Sequence, residues 1–319
     1  MNARVLVTGA SGFIGRALVE ELSIAGHRVR AAMRQPADVF RREVEVVAVS
    51  DLTRPVEWRL LLKDMDTVVH LAGIAHAGDG IAEQTYDRIN RLATAELAAA
   101  ARAAGIRRLV FISSIRAQSG PASNHPLTEA DPPRPTDAYG RSKLAAEEAV
   151  RAANVPFTIL RPVLVYGPGA KGNLDRLMQL ARSPWPLPFG SFANRRSLLS
   201  RQNLISAIRL ALDAQAAVGE TYVVADPIPL TLADIITALR AGQERSPLLM
   251  PIPPALIAIA LKRLHRTDIW ERLGGEMVAD PKKLLLAGWL PPVDTRAGLA
   301  AMVQAASPRK SGTASRNTR

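Results

Sequence analysis

The 319-residue chain contains no cysteine. That absence excludes disulfide scaffolds, Cys-ligated zinc, iron–sulfur clusters and thiol nucleophiles. No metal site is expected. Aromatic residues make up only 4% of the chain, too few for a surface of base-stacking platforms, and no helix-turn-helix or zinc-finger spacing stands out. Nucleic acid is therefore not an expected partner. The longest apolar run, Pro247–Leu261, is interrupted by Pro251, Pro253 and Pro254. It falls short of the roughly 18 residues of a membrane span. It reads as a buried helix behind a proline-rich loop, in preference to a membrane-surface contact. The N-terminus enters strand-like sequence at once, without a basic and apolar leader. A cytoplasmic location is expected.

Acids are also few: 29 Asp plus Glu stand against 41 Lys plus Arg, a net charge of +12. Four of those units sit in Ser307–Arg319, which has no acid and no large apolar residue. This segment reads as a disordered basic tail. The remaining +8 suits a small anionic substrate as well as it suits a larger anionic partner.

With 48% apolar residues the chain can bury a large core. Its first half alternates β-branched runs with Ala- and Leu-rich helical stretches. Strands are expected at Val5–Val7, Val29–Met33, Val44–Val49, Thr67–His70, Leu109–Ser113 and Phe157–Arg161. Helices are expected at Gly15–Ala25, Tyr86–Ala104 and Tyr139–Ala153. This rhythm predicts an α/β, Rossmann-type, doubly wound parallel sheet. After Pro162 the rhythm breaks, with dense Gly and Pro from Gly167 to Gly190. Residues 1–165, returning at about 195–225, are expected to form a dinucleotide-binding domain. Residues 166–194 and 226–306 are expected to form a smaller, partly interleaved substrate lobe, with 307–319 as the tail.

Thr8-Gly9-Ala10-Ser11-Gly12-Phe13-Ile14-Gly15 lies between the first strand and the first helix. Gly9 permits a tight turn, Gly12 lets a pyrophosphate approach the backbone, and Gly15 lets the helix pack close to the strand. The helix N-terminus then faces the phosphates. Tyr139 and Lys143 open a later helix one turn apart on one face. A neighbouring ammonium is expected to lower the phenol pKa and so to equip Tyr139 for proton transfer.

The G-x-x-G-x-x-G loop, the Tyr139/Lys143 pair and the strand end Phe111-Ile112-Ser113-Ser114-Ile115 together resemble the extended short-chain dehydrogenase/reductase family. The resemblance covers nearly the whole chain except the tail. It implies an enzyme in which Ser114, Tyr139 and Lys143 are catalytic, with Ser113 one residue from the best alignment. It also implies that Ser11, Phe13 and Ile14 join the three glycines in holding the cofactor. Asp51 and Leu52 resemble the pair that contacts adenine. Leu71, Ala72 and Gly73 pass beneath the cofactor, Asn90 matches a structural Asn, and Arg161-Pro162 opens a segment to Gly169 that closes over nicotinamide. Where an acid would read the ribose hydroxyl, the second strand ends in Met33 and Arg34. That tilts the expected cofactor, NAD(P)(H), toward NADP(H).

On the substrate side, Asn173, Arg196 and Arg272 resemble residues that hold a nucleotide diphosphate. The implied partner is a nucleotide sugar, and a homodimer through the Ala-rich helices is expected. Ile115 and Arg116 replace the acids of sugar dehydratases, so dehydration is disfavoured. Ser-Ser-Ile-basic looks more like reductases of UDP-4-keto-6-deoxy-hexosamines, with a UDP-sugar 4-epimerase as the alternative. A non-catalytic dinucleotide sensor is a further alternative, against which Tyr139 and Lys143 both count.

Overall fold

The computed structural model describes residues 2–37, 39–75, 80–170, 173–266 and 274–306, without the side chains of 173, 174 and 306. Eleven strands are described. They are β1 (Arg4–Thr8), β2 (Arg28–Met33), β3 (Glu45–Ala48), β4 (Thr67–His70), β5 (Arg108–Ile112), β6 (Phe157–Pro162), β7 (Leu164–Tyr166), β8 (Arg195–Arg196), β9 (Leu198–Ser200), β10 (Glu220–Val224) and β11 (Leu230–Thr231). Seven form one parallel sheet in the order β10-β6-β5-β4-β1-β2-β3. The order reverses between β1 and β4. In an open α/β sheet that reversal leaves a crevice beyond the strand ends, where ligands bind.

Both faces of the sheet are buried, which explains the near-continuous apolar runs. On one face Leu18 and Leu22 of α1 (Phe13–Ile24) pack with Leu204 and Ile208. On the other, Trp58 and Leu61 of α2 (Trp58–Leu62) pack with Leu97, Ala101, Ala146 and Val150. The expected single helix Tyr86–Ala104 is instead three joined pieces. These are α3 (Glu83–Tyr86), a π-helical stretch Asp87–Leu92, and α4 (Ala93–Ala103). Wide turns of this kind are frequent at functional sites. Here Asn90 lies inside the wide turn, with its amide drawn to Ile74.

α5 (Ala138–Ala152) follows as expected. α6 (Asn173–Arg182) lies in the Gly- and Pro-rich stretch where no helix was expected. α7 (Arg201–Asp213) is capped by the Ser200 hydroxyl, which accepts from Gln202 N and Asn203 N. β10 returns to the sheet edge beside β6. β7 pairs with β9, and β8 with β11.

Two further cores lie apart from those on the sheet. One gathers Tyr166, Leu230, Leu239, Leu299 and Met302; the other gathers Leu187, Phe189, Phe192 and Ile236. Between them lies Arg240 of α8 (Leu232–Ala241), 1% exposed. Its guanidinium donates to the carbonyls of Ala181, Ser183, Trp185 and Pro247. One buried fork thus ties two loops to a helix.

The run Pro247–Leu261 departs from expectation. It contains α9 (Pro254–Arg263), but none of its residues is buried. Leu249 of the preceding loop and Ile257 of the helix are packed against the small core of Leu187 and Phe189, whereas Leu256 and Ile259 are 58% and 53% exposed. Composition marks the helix as apolar, but it cannot say whether the fold supplies a second wall. No described helix is long and apolar enough to cross a membrane.

Arg240→Leu should lower the free energy of unfolding by about 3 kcal/mol, because five carbonyls, that of Leu248 included, lose a charged donor. Urea denaturation measures it, and a loss below about 0.5 kcal/mol would remove the fork from the fold's supports.

Candidate active site

The glycine loop closes tightly. Gly9 has φ +69, and a Cβ there would lie 2.8 Å from Ala72 N. A Cβ on Gly15 would lie 2.2 Å from Gly9 O. Only glycine allows strand, turn and helix this close approach. α1 begins at Gly12 with no side-chain cap and no acid in its first turn. Its leading N–H groups and the positive end of its dipole therefore suit a pyrophosphate. This cradle fits a dinucleotide.

Beneath the loop runs a column of buried hydrogen bonds that spacing did not reveal. Ala72 N donates to Thr8 Oγ1, 3.2 Å away. Thr8 Oγ1 lies 2.7 Å from His70 Nδ1, and His70 Nε2 lies 3.0 Å from Thr94 Oγ1. Thr94 in turn donates to Asn90 O. Because Thr94 donates to Asn90 O, Nε2–H donates to Thr94, and in the neutral ring Nδ1 accepts from Thr8. Burial pushes the His70 pKa down to about 3, with the Lys143 charge adding to the effect.

Asn90 is fully engaged. It accepts from Ile74 N and donates to Ile74 O and to Ser142 Oγ. Ser142 donates onward to Tyr139 O. Asn90 therefore supports the segment after Leu71, Ala72 and Gly73, and the start of α5, through its amide.

Ser114, Tyr139 and Lys143 come together at the sheet end. Asp137 caps α5 by accepting from Gly140 N, and Arg116 pairs with Asp137. The half-buried Tyr139 phenol is hydrogen-bonded to the Ser114 side chain and packs 6.0 Å from the Tyr86 ring. Ser113 is accounted for separately, since its hydroxyl donates to Glu147 Oε1 at 2.5 Å. That leaves Ser114 as the strand-end hydroxyl facing the phenol.

The electrostatics correct one expectation. The Tyr139 pKa is raised, not lowered. Burial is the main cause and Asp137 adds to it, while Ser114 and Arg116 act in the opposite direction. Lys143 does not reach the phenol. Its Nζ donates to Ile112 O at 2.7 Å and sits 4.5 Å from the centre of the Phe111 ring. Burial pushes the Lys143 pKa down to about 8, with Glu147 acting the other way.

Glu147, 0% exposed, was not anticipated. It accepts from Ser113, from Arg151 Nη2 at 3.0 Å, and from Arg161 Nε and Nη2 at 2.9 and 2.6 Å. Arg161 also donates to Gln118 Oε1. A second unanticipated residue is Arg201, whose guanidinium lies over the Phe13 ring at 4.9 Å and donates to Pro168 O and Phe13 O. It straps the Gly167–Gly169 segment to the glycine loop. Tyr166 of that segment donates to the buried Asp226 and to Thr295 O.

The remaining expected residues are more dispersed. Arg34 is exposed at the end of β2. Asp51 accepts from Thr53 N, and this bond, with the Arg34 charge, holds its carboxyl below the usual range. Leu52 is buried, and Pro162 ends β6. Arg196 lies on β8, paired with Leu230 and bridged to Met277, and burial lowers its pKa. The Asn173 side chain and Arg272 lie outside the described residues.

Residues 5–225 match the NAD dependent epimerase/dehydratase family. The chain is 32% identical over 318 residues to a UDP-glucose 4-epimerase of Vibrio cholerae, covering 96% of each chain. It is 31% identical over 288 residues to a 2-alkyl-3-oxoalkanoate reductase of Stenotrophomonas maltophilia, covering 85% of this chain and 83% of that one. Among solved structures it resembles UDP-glucuronic acid 4-epimerase from Bacillus cereus in complex with NAD, with a TM-score of 0.75 and 23% identity over 95% and 96% of the two chains.

A buried ammonium costs stability. Depression of the Lys143 pKa to about 8 corresponds to a cost on the order of 3 kcal/mol below that pH. The unfolded chain holds this proton until about pH 10.4, so the cost fades as pH rises from 8 toward that value. Lys143→Met should therefore stabilise the protein at pH 7 by roughly 1–3 kcal/mol while abolishing turnover, and the gain should vanish near pH 10. Thermal melts across pH test it; a variant less stable than the parent at pH 7 would refute the assigned cost.

Proposed function

Because the chain belongs to the NAD-dependent epimerase/dehydratase family, we propose that this enzyme interconverts the C4 epimers of a UDP-sugar. The observation that carries the reading is the end-to-end similarity to the Vibrio cholerae UDP-glucose 4-epimerase, on a chain that has a tight glycine cradle and a Tyr139 phenol bonded to Ser114. Bound in that cradle, the dinucleotide supplies a hydride acceptor and donor for C4.

The chain's own residues handle the proton. Tyr139 is a protonated phenol in this setting, so it must release that proton before C4 is oxidised. The phenolate would then take the proton of the C4 hydroxyl, and the phenol would return it to the C4 oxygen when C4 is reduced. Ser114 holds that oxygen and the phenol in line. Lys143 places positive charge at the floor of the site, and the Ile112 carbonyl and the Phe111 ring fix its position. A nucleotide diphosphate suits the half-buried arginine fork of Arg196.

A reductase of a UDP-4-keto-sugar uses the same three side chains. The residue that favoured it in the sequence was Arg116. That side chain is occupied with Asp137, the cap of the helix that carries Tyr139. Its basic character thus has a role in the fold and does not argue for a reductase. Asp51 bears on the cofactor in a similar way. Its carboxylate is close enough to Arg34 for their charges to interact, so it offsets the cation that would read a 2′-phosphate. That supports NAD(H) over the NADP(H) suggested by Arg34 alone. The exposed faces of the Asp87–Leu92 stretch with α4, and of α5, remain our candidate for a homodimer contact.

Incubation with UDP-glucose, UDP-galactose and their N-acetylhexosamine counterparts should give C4 epimers without added reductant, as read by chromatography. Stoichiometric consumption of NADH on a 4-keto sugar, with no epimerisation, would make the enzyme a reductase. Tyr139→Phe should lower kcat by at least about 10³-fold while leaving NAD(H) binding within about threefold. Arg196→Ala should raise KM for the UDP-sugar by about tenfold or more, and an unchanged KM would remove Arg196 from the diphosphate site.

A further inference from the structure

We propose that the exposed face of α9 and the adjoining loops dock on a lipid bilayer rich in anionic headgroups. The proposal is independent of the substrate reading.

α9 has an inner face and an outer face. Ile257 packs against the small core, and Ala258 and Leu261 are half-buried beside it. One turn apart on the other side stand Leu256 and Ile259, and Leu264 just past the helix end is 69% exposed. The same core carries the paired segments around Leu187 and Leu248, joined by Leu187 N to Leu248 O and Met250 N to Leu187 O. From these segments Trp185 stands out at 72% exposure, with Leu248 at 48% and Met250 at 40%. The Arg240 fork fixes the loops that carry Trp185 and Leu248. Six large apolar side chains therefore stand in water on one small lobe.

Within the segment that carries most of them the charges have one sign. From Arg245 to Arg266 the sequence has no acid. Lys262 and Arg263 are exposed in the last turn of α9. Arg245 is also exposed, and its guanidinium donates to the backbone of Arg182, another exposed arginine. Leucine and isoleucine on a helix face, a protruding indole and a basic rim are what an interfacial membrane contact uses. The basic rim selects anionic lipid. No described helix spans a bilayer, so the contact would be peripheral, with the sheet outside the membrane.

The test mixes the full chain with vesicles of phosphatidylcholine, either pure or containing about one-third phosphatidylglycerol. The protein should sediment with the anionic vesicles and not with the pure ones. Leu256→Ser with Ile259→Ser should weaken vesicle binding by about tenfold or more, and Lys262→Glu with Arg263→Glu should do so by about tenfold or more at low salt. Trp185 emission should shift to the blue on binding, and Trp185→Phe should remove that shift. Turnover of a soluble UDP-sugar should stay within about twofold in all three variants.

Absence of binding to anionic vesicles would overturn the proposal. So would binding that survives Leu256→Ser with Ile259→Ser, because the tail 307–319 would then be the contact. If those substitutions instead change the mass in light scattering, the face joins two copies of the chain and the membrane assignment falls.

Discussion

A carboxylate with no access to water sets the position of the catalytic residues. Glu147 lies one turn after Lys143 on α5, and it is bonded to the end of β5 through Ser113 and to β6 through Arg161. Taking that charge out of water is costly, and only complete hydrogen bonding offsets it. The bonding is nearly complete: Arg161, Arg151 and Ser113 all donate to it. A shift of α5 along the sheet would strand a buried charge. Ser114 is adjacent to Ser113, and Tyr139 and Lys143 share the helix with Glu147. The three groups that act on substrate are therefore held in register by an ion pair that touches none of it.

Around that anchor, the two sides of the sheet do different work. One side is closed by α1 and α7, and it presents the uncapped start of α1 to a phosphate group. The other is closed by α2, α4 and α5, and it buries His70, Lys143 and Glu147. All three sit at or near full burial. The charges of Lys143 and Glu147 and the neutral His70 ring share a medium of low polarisability, where each alters its neighbours strongly. The smaller lobe is built on another plan. Short strands and a buried arginine fork hold its loops, and part of its apolar surface stays in water.

What could be read in the sequence follows from distance along the chain. The glycine loop and Tyr139–Lys143 each fit within eight residues, and in both the spacing itself carries the geometry. The Glu147–Arg161–Ser113 cluster draws on three elements, and nothing local marks a glutamate in an Ala-rich helix as buried. Spacing also set Lys143 beside Tyr139 without saying where its flexible stem would turn. It turns to Ile112, and the phenol keeps its proton. The π-helical turn at Asn90 was hidden for a related reason, because it results from a bond to Ile74 sixteen residues away. At α9 the apolar pattern was read correctly as a helix, but burial depends on a neighbour that sequence does not announce.

The column from Ala72 through Thr8, His70 and Thr94 to Asn90 has a direction, since every hydroxyl in it both accepts and donates. Reversing one link orphans another. Valine at position 8 would leave the Ala72 amide and His70 Nδ1 unmatched together, and lysine at position 70 would bring a charge where no acid waits. A change at position 8, 70 or 94 therefore has to be matched by a change at its neighbours in the column if the bonds are to stay complete.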